Sequence, residues 1–383
     1  MRKIIYLDNA ATTWPKPPKV VEAVVNYLNN IGGNPGRSGH SMSVEAARVV
    51  FDCREAVANL FGISDPLKVA FTHNASYALN IVIRGLCQKP LRIVSTMMEH
   101  NSVARVLESL RDFGCDIFYC PCDKNGFLDL DRFEKALCKK TDLVVVNHAS
   151  NVTGSIQDLG AIGKLTKKYG TMLIVDAAQT AGCLPINCSK LGIDVVVFTG
   201  HKGLLGLQGT GGMVFGDGFD CKRIKPVFTA GTGSKSESLS HPDFLPDMLE
   251  FGTLNAVGLA GLLAGIEYIK LQKIQSVYEK EILFRKTIFD ELSQIESIKL
   301  FGSPKNSTGV VSLTIKDRDL SEIGYILDNQ YGIMTRIGLH CAPLAHKTIG
   351  TFPIGTIRLS PSVMNKLEEI EETVEVIKCL ACS

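Results

Sequence analysis

Between residue 43 and about residue 215, short uninterrupted apolar runs alternate with longer stretches of helical periodicity. The apolar runs are Lys68–Thr72, Arg92–Ser95, Asp116–Tyr119, Leu143–Asn147, Met172–Val175 and Asp194–Phe198. The helical stretches are Ser43–Phe61, Ser76–Leu86, Ser102–Phe113, Asp131–Leu137 and Leu159–Tyr169. The first of these is expected to start with Ser43 as its cap and to stop at Gly62. A strand that is apolar along its whole length has no face to offer water and must be covered on both sides. Helices between such strands supply that cover, so the pattern predicts an α/β fold with a mostly parallel sheet.

In such sheets ligands bind beyond the carboxyl ends of the strands. The residues at those ends are His73–Ser76, Glu99–His100, His148–Asn151, Asp176–Gln179 and Thr199–Lys202, all of them polar clusters. After about Gly258 the character changes to a long helical stretch through Leu292, then strands such as Gly309–Ile315 and a final helix over Lys366–Leu380. Two domains are expected: a large one over residues 16–257, and a smaller α/β domain formed by residues 1–15 with 258–383.

The 41 Lys and Arg residues nearly balance the 39 Asp and Glu, which leaves a net charge of +2. That provides no broad field for nucleic acid or an acidic membrane surface. The apolar run Ile4–Leu7 is too short for a signal-peptide core, and Val257–Ile269 is too short for a membrane span and contains Glu267. A cytoplasmic protein is the expectation. The 12 cysteines are scattered from Cys53 to Cys382 in a chain large enough to need no disulfides, so most should behave as small core residues. Cys379 and Cys382 have CxxC spacing but no second pair of ligands, and no metal site is expected.

Met172–Asp176 and Val195–Lys202 are buried-strand patterns that each run into a charged residue. A charge in that position calls for a partner. A carboxylate at one strand end and a lysine at the next fit pyridoxal 5′-phosphate (PLP). That cofactor needs a lysine for its Schiff base and a carboxylate to keep its pyridine nitrogen protonated. Its phosphate suits Asn74–Ser76, where backbone N–H groups and the Ser76 hydroxyl stand at a predicted helix start. The glycines of Gly203–Gly206 and Gly209–Gly212 match neither a P-loop nor a dinucleotide fingerprint, and are read as a tight turn after Lys202.

An ordered set of motifs then resembles one known family. They are Tyr6–Thr13, Glu99–His100, Ser150–Gly154, Val175–Gln179, Gly200–Lys202, Phe251–Thr253, Arg336–Pro343 and Arg358. Across nearly the whole chain they are similar to the class V aminotransferases, and within them to the Suf-type (group II) cysteine desulfurases and selenocysteine lyases. The resemblance implies PLP-dependent transferase fold type I (aspartate-aminotransferase-like) and a homodimer. It also implies roles for individual residues. Lys202 carries the cofactor, Asp176 pairs with the pyridine nitrogen, His100 stacks on the ring and Gln179 bonds its hydroxyl. Ala75, Ser76, Thr199 and His201 surround the phosphate, joined by Thr253 from the other subunit. Asn151 and Arg358 grip the substrate carboxylate, with Arg336 and His340 close by.

Three positions depart from the family pattern. Ala75 removes one of two adjacent hydroxyls in the phosphate loop, Leu254 replaces a proline, and Thr199 stands where serine is common. Cys341, in its Arg336–Pro343 context, resembles the short nucleophile loop of the group II enzymes, and His340 with Arg336 is expected to stabilise its thiolate. The implied reaction converts cysteine to alanine and leaves a persulfide on Cys341, with an acceptor protein for the sulfur or selenium as a further partner. The alternatives are a selenocysteine lyase, another class V aminotransferase or lyase, and a non-enzymatic sulfur carrier.

Overall fold

A computed structural model describes residues 3–36 and 39–382; Met1 and Arg2, which open the N-terminal segment, lie outside the described residues. In chain order the elements begin with Ile5–Tyr6 (β1), Pro18–Asn26 (α1) and Ser41–Phe61 (α2). The alternating region follows as Val69–Thr72 (β2), Ala75–Leu86 (α3), Arg92–Thr96 (β3), Asn101–Arg111 (α4), Asp116–Cys120 (β4) and Leu130–Leu137 (α5). It continues through Leu143–Asn147 (β5), Leu159–Lys168 (α6), Met172–Asp176 (β6), Cys188–Leu191 (α7), Val195–Thr199 (β7) and Gly211–Phe215 (β8). The remainder is Ala256–Gln272 (α8), Ile274–Leu292 (α9), Ile298–Phe301 (β9), Val311–Ile315 (β10), Leu320–Tyr331 (α10) and Ile333–Met334 (β11). Arg336–Gly338 (β12), Pro343–Ile349 (α11), Thr356–Leu359 (β13) and Leu367–Cys382 (α12) complete it.

The strand order β2-β8-β7-β6-β5-β3-β4 makes a seven-stranded sheet. All neighbours from β7 to β4 pair in parallel, as the continuous apolar runs predicted. Every residue of β5, β6 and β7 is buried. Their side chains alternate between two cores. Val144, Val146, Leu173, Val175, Val196 and Phe198 pack against α2, α6 and α8. Val145, Ile174, Val195 and Val197 pack against α3 and α4. Each such side chain withdrawn from water contributes roughly 1.5–3 kcal/mol.

The sheet also differs from expectation. β8 runs antiparallel and is inserted between β2 and β7. Gly211 and Gly212 are therefore strand residues and not part of the turn after Lys202. A Cβ on Gly211 would lie 2.7 Å from Cα of Asn74, so glycine there lets the β2–α3 turn close over the sheet. The cap of α2 is His40, whose Nδ1 accepts from Ser43 N–H; Ser43 itself is buried and donates its hydroxyl to the carbonyls of Asn34 and Gly36. The long helical stretch is two helices, separated at Lys273, where φ is 63°. α8 spans the expected boundary at residue 258, and its buried side chains join the core of the large sheet.

A second, four-stranded sheet has the order β12-β13-β10-β9. Its core joins Ile5 and Leu7 to residues of α9, α10 and α12, so the N-terminal segment packs with the C-terminal region. Near the large sheet, Arg54 on α2 makes a buried two-point ion pair with Glu250 (2.8 and 2.9 Å), and Phe71 N–H donates to the same carboxylate at 2.7 Å.

Candidate active site

The ends of β5, β6 and β7 open into a cavity of about 430 Å³. Ala75, Ser76, His100, Asn151, Asp176, Gln179, Thr199, His201, Lys202, Arg336, His340, Cys341 and Arg358 all line it. Of the predicted site residues, only Thr253 lies elsewhere. It is exposed, ahead of α8, beside a separate small cavity with His73 and Tyr77.

Asp176 is the last residue of β6, opposite Asn147 on β5. Its Oδ1 accepts from Ala178 N–H at 2.9 Å, and burial raises its pKa while that hydrogen bond and Lys202 oppose the shift. Burial lowers Lys202 to about 8; Asp176 works against this, and Arg358 and Arg336 add to it. Glu99 is fully buried, and burial raises it to about 8. It accepts from Thr96 Oγ1 (2.6 Å) and Asn147 N–H (3.0 Å). The sequence singled out Glu99 only as part of a motif and missed Asn147.

Asn74 caps α3 by accepting from Tyr77 N–H, which places Ala75 and Ser76 in the first turn with the helix N-terminus toward the cavity. His100 caps α4 in the same way: its Nδ1 accepts from Ser102 N–H at 3.1 Å. That bond leaves the ring proton of neutral His100 on Nε2. Burial, then Lys202, holds His100 down to about 4. Gln179 donates to Ala10 O at 3.1 Å, tying the N-terminal segment to the cavity wall.

Arg336 and Arg358 are direct partners across β12 and β13. Two like charges in that register repel unless an anion lies between them. Arg358 is 2% exposed; it reaches Asp8 Oδ1 at 2.6 Å and Asn151 O at 3.1 Å. Asp8 belongs to the Tyr6–Thr13 motif, and its partnership with Arg358 across 350 residues was not visible in sequence.

The Cys341 loop is short. It lies between β12 and α11, and Pro343 opens that helix. His340 and Cys341 are consecutive left-handed residues, with φ of 48° and 58°, a conformation that costs energy for residues other than glycine. Asn151 Nδ2 holds the His340 carbonyl at 2.7 Å, and Asn101 N–H holds that of Cys341 at 2.8 Å. The Cys341 side chain is exposed. The expectation that His340 would lend positive charge to the thiolate needs correction. His340 is buried and pushed down to about 2, mostly by burial and then by Arg358, so it stays neutral. It pairs with Thr356 Oγ1 at 3.0 Å and props the loop. Positive charge beside the cavity comes from Arg336 and Arg358.

A family model described as Aminotransferase class-V matches residues 5–373. The chain belongs to the class-V aminotransferase family. Class-V relatives include a probable cysteine desulfurase of Methanothermobacter thermautotrophicus, 34% identical over 98% of this chain and 95% of the relative. Another, a probable cysteine desulfurase of Pyrococcus abyssi, is 34% identical over 100% of this chain and 95% of the relative. Among solved structures, the apo cysteine desulfurase of Thermococcus onnurineus superposes with a TM-score of 0.92 at 32% identity, covering 99% of this chain and 94% of that one. The class-V family is PLP-dependent, and the cavity fits that group. His201 Nδ1, Asn151 Oδ1 and Arg358 Nε are buried atoms with no protein partner, and all three residues line the cavity. Buried polar atoms of this kind call for a ligand or water. Among the described residues there is no cluster of His, Cys, Asp or Glu suited to a metal, and no helix long and apolar enough to cross a membrane.

Proposed function

We propose that this chain is a PLP-dependent cysteine desulfurase that converts L-cysteine to L-alanine and keeps the sulfur as a persulfide on Cys341. The observation that carries the reading is the placement of Cys341. Its exposed side chain stands on a short, pinned loop at the same cavity as Lys202, Asp176 and the Arg336–Arg358 pair. The name shared by the relatives supports it.

When bound, PLP supplies the electron sink that makes bonds at the substrate Cα easier to break. Lys202 would hold the cofactor, Asp176 its ring nitrogen, and Ser76, Thr199 and His201 its phosphate. Arg358 and Arg336 receive the substrate carboxylate; the planar guanidinium of Arg358 is already oriented by Asp8 and Asn151. Lys202 Nζ, with its depressed pKa, takes the Cα proton as a neutral amine. Cys341 Sγ attacks the substrate sulfur. A sulfur–sulfur bond forms, the carbon–sulfur bond breaks with its electron pair passing to the substrate β-carbon, a proton is added at that carbon, and Lys202 returns the proton it took to Cα to complete alanine. His100, neutral and protonated on Nε2, would lie against the cofactor ring. A sulfur-acceptor protein would then discharge Cys341.

The active unit in this proposal is a homodimer, with exposed Thr253 reaching the partner's phosphate site. The deciding experiment incubates the purified protein with L-cysteine and, in parallel, with selenocysteine. Alanine in the cysteine sample, with one added sulfur on the peptide containing Cys341, is the expected result. Release of selenide from selenocysteine without any turnover of cysteine would replace the proposal with a selenocysteine lyase.

A further inference from the structure

The first turn of α3 offers the cavity a single hydroxyl. Ala75 lines the cavity as the first helical residue but has no donor on its side chain, which leaves Ser76. A phosphate monoester carries up to two negative charges and three terminal oxygens, so it can accept further donors beside Ser76, Thr199 and His201. A second hydroxyl is at hand on another helix. Ser102, in the first turn of α4, also lines the cavity, and its Oγ lies 2.6 Å from Ser76 Oγ.

The first backbone N–H donors of α4 are already committed. Asn101 N–H goes to the Cys341 carbonyl at 2.8 Å, and Ser102 N–H goes to His100 Nδ1 at 3.1 Å. What α4 presents to an anion is therefore the Ser102 hydroxyl. That hydroxyl lies 2.9 Å from His100 Nδ1 as well, but the backbone N–H of Ser102 already satisfies this nitrogen. The hydroxyl proton can turn to an anion without leaving His100 unpartnered. A further polar atom points to a ligand here: His201 Nδ1 is buried on the same cavity with no protein partner.

We propose that Ser102 is a phosphate-binding residue, paired with Ser76 to form a two-hydroxyl cradle drawn from two different helices. The proposal rests on the PLP reading. It gives α4 a double duty, since the same residue orients His100 through its backbone and grips the phosphate through its side chain.

The test measures cofactor affinity of the resolved apoenzyme by absorbance titration, once with PLP and once with pyridoxal, which lacks the phosphate. Wild type, Ser102→Ala and Ser102→Thr are compared. Loss of a hydrogen bond to a charged acceptor should weaken PLP binding about tenfold or more in Ser102→Ala. Pyridoxal binding should be unchanged, and Ser102→Thr, which keeps the hydroxyl, should bind PLP within about threefold of wild type. PLP affinity in Ser102→Ala equal to wild type would overturn the proposal. So would an equal loss for PLP and pyridoxal, which would locate the effect at His100 and the ring, or a Ser102→Thr protein as weak as Ser102→Ala. Wild-type apoenzyme that binds no PLP at all would sink the cofactor reading itself and this proposal with it, an outcome visible before any variant is made.

Discussion

The depressed pKa of Lys202 has a consequence that can be measured before any turnover. The amine captures the cofactor aldehyde only when neutral. With burial bringing Lys202 from 10.5 down to about 8, about a quarter of the amine is neutral at pH 7.5, against about one part in a thousand for an ordinary lysine. The rate of PLP capture by apoenzyme should rise about tenfold per pH unit well below pH 8 and then level off. From pH 8 to pH 9.5 the neutral fraction of such a group grows only about twofold, whereas an ordinary lysine would gain about thirtyfold over the same interval. The assay is stopped-flow absorbance with apoenzyme in excess. A free lysine derivative run in the same buffers divides out the titration of the cofactor itself. Arg336→Gln should move the plateau to higher pH, because Arg336 is one of the like charges that lower Lys202. A rate that still climbs tenfold per unit above pH 9 would refute the claim that burial desolvates this lysine.

Cys341→Ala should retain PLP binding, lose nearly all cysteine turnover and keep much of any selenocysteine activity, because selenium leaves without a thiolate acceptor; an enzyme assay with both substrates decides it. Mixing Lys202→Ala with Thr253→Ala subunits should restore activity in heterodimers, which then hold one site with both defects and one with neither. No recovery in confirmed heterodimers would remove Thr253 from the site. Arg54→Met should lower stability by about 3–5 kcal/mol, because it strands the buried Glu250 carboxylate without its cation, and a fall in the thermal unfolding midpoint measures it.

What the sequence made legible follows from which physical effects are local. A buried strand that ends in a charge is a local pattern, so Asp176 and Lys202 could be singled out from Met172–Asp176 and Val195–Lys202. β8 was hidden because its glycines look like turn residues; they are glycines because a Cβ on Gly212 would sit 2.5 Å from the Ala70 carbonyl of β2. α8 is apolar on nearly every side because it is buried in the large core, and that composition does not say which core it joins. Its position beyond the expected boundary at 258 was therefore legible only from packing. His340 shows the same limit in the chemistry. Beside Cys341 in sequence it looks like a cation for a thiolate, yet cationic character depends on solvent, and burial has removed it. Positive charge beside the cavity comes instead from pairing β12 with β13, which sets Arg336 directly across from Arg358. That pairing joins residues 22 positions apart through the sheet register, and no inspection of the Arg336–Pro343 motif alone contains it.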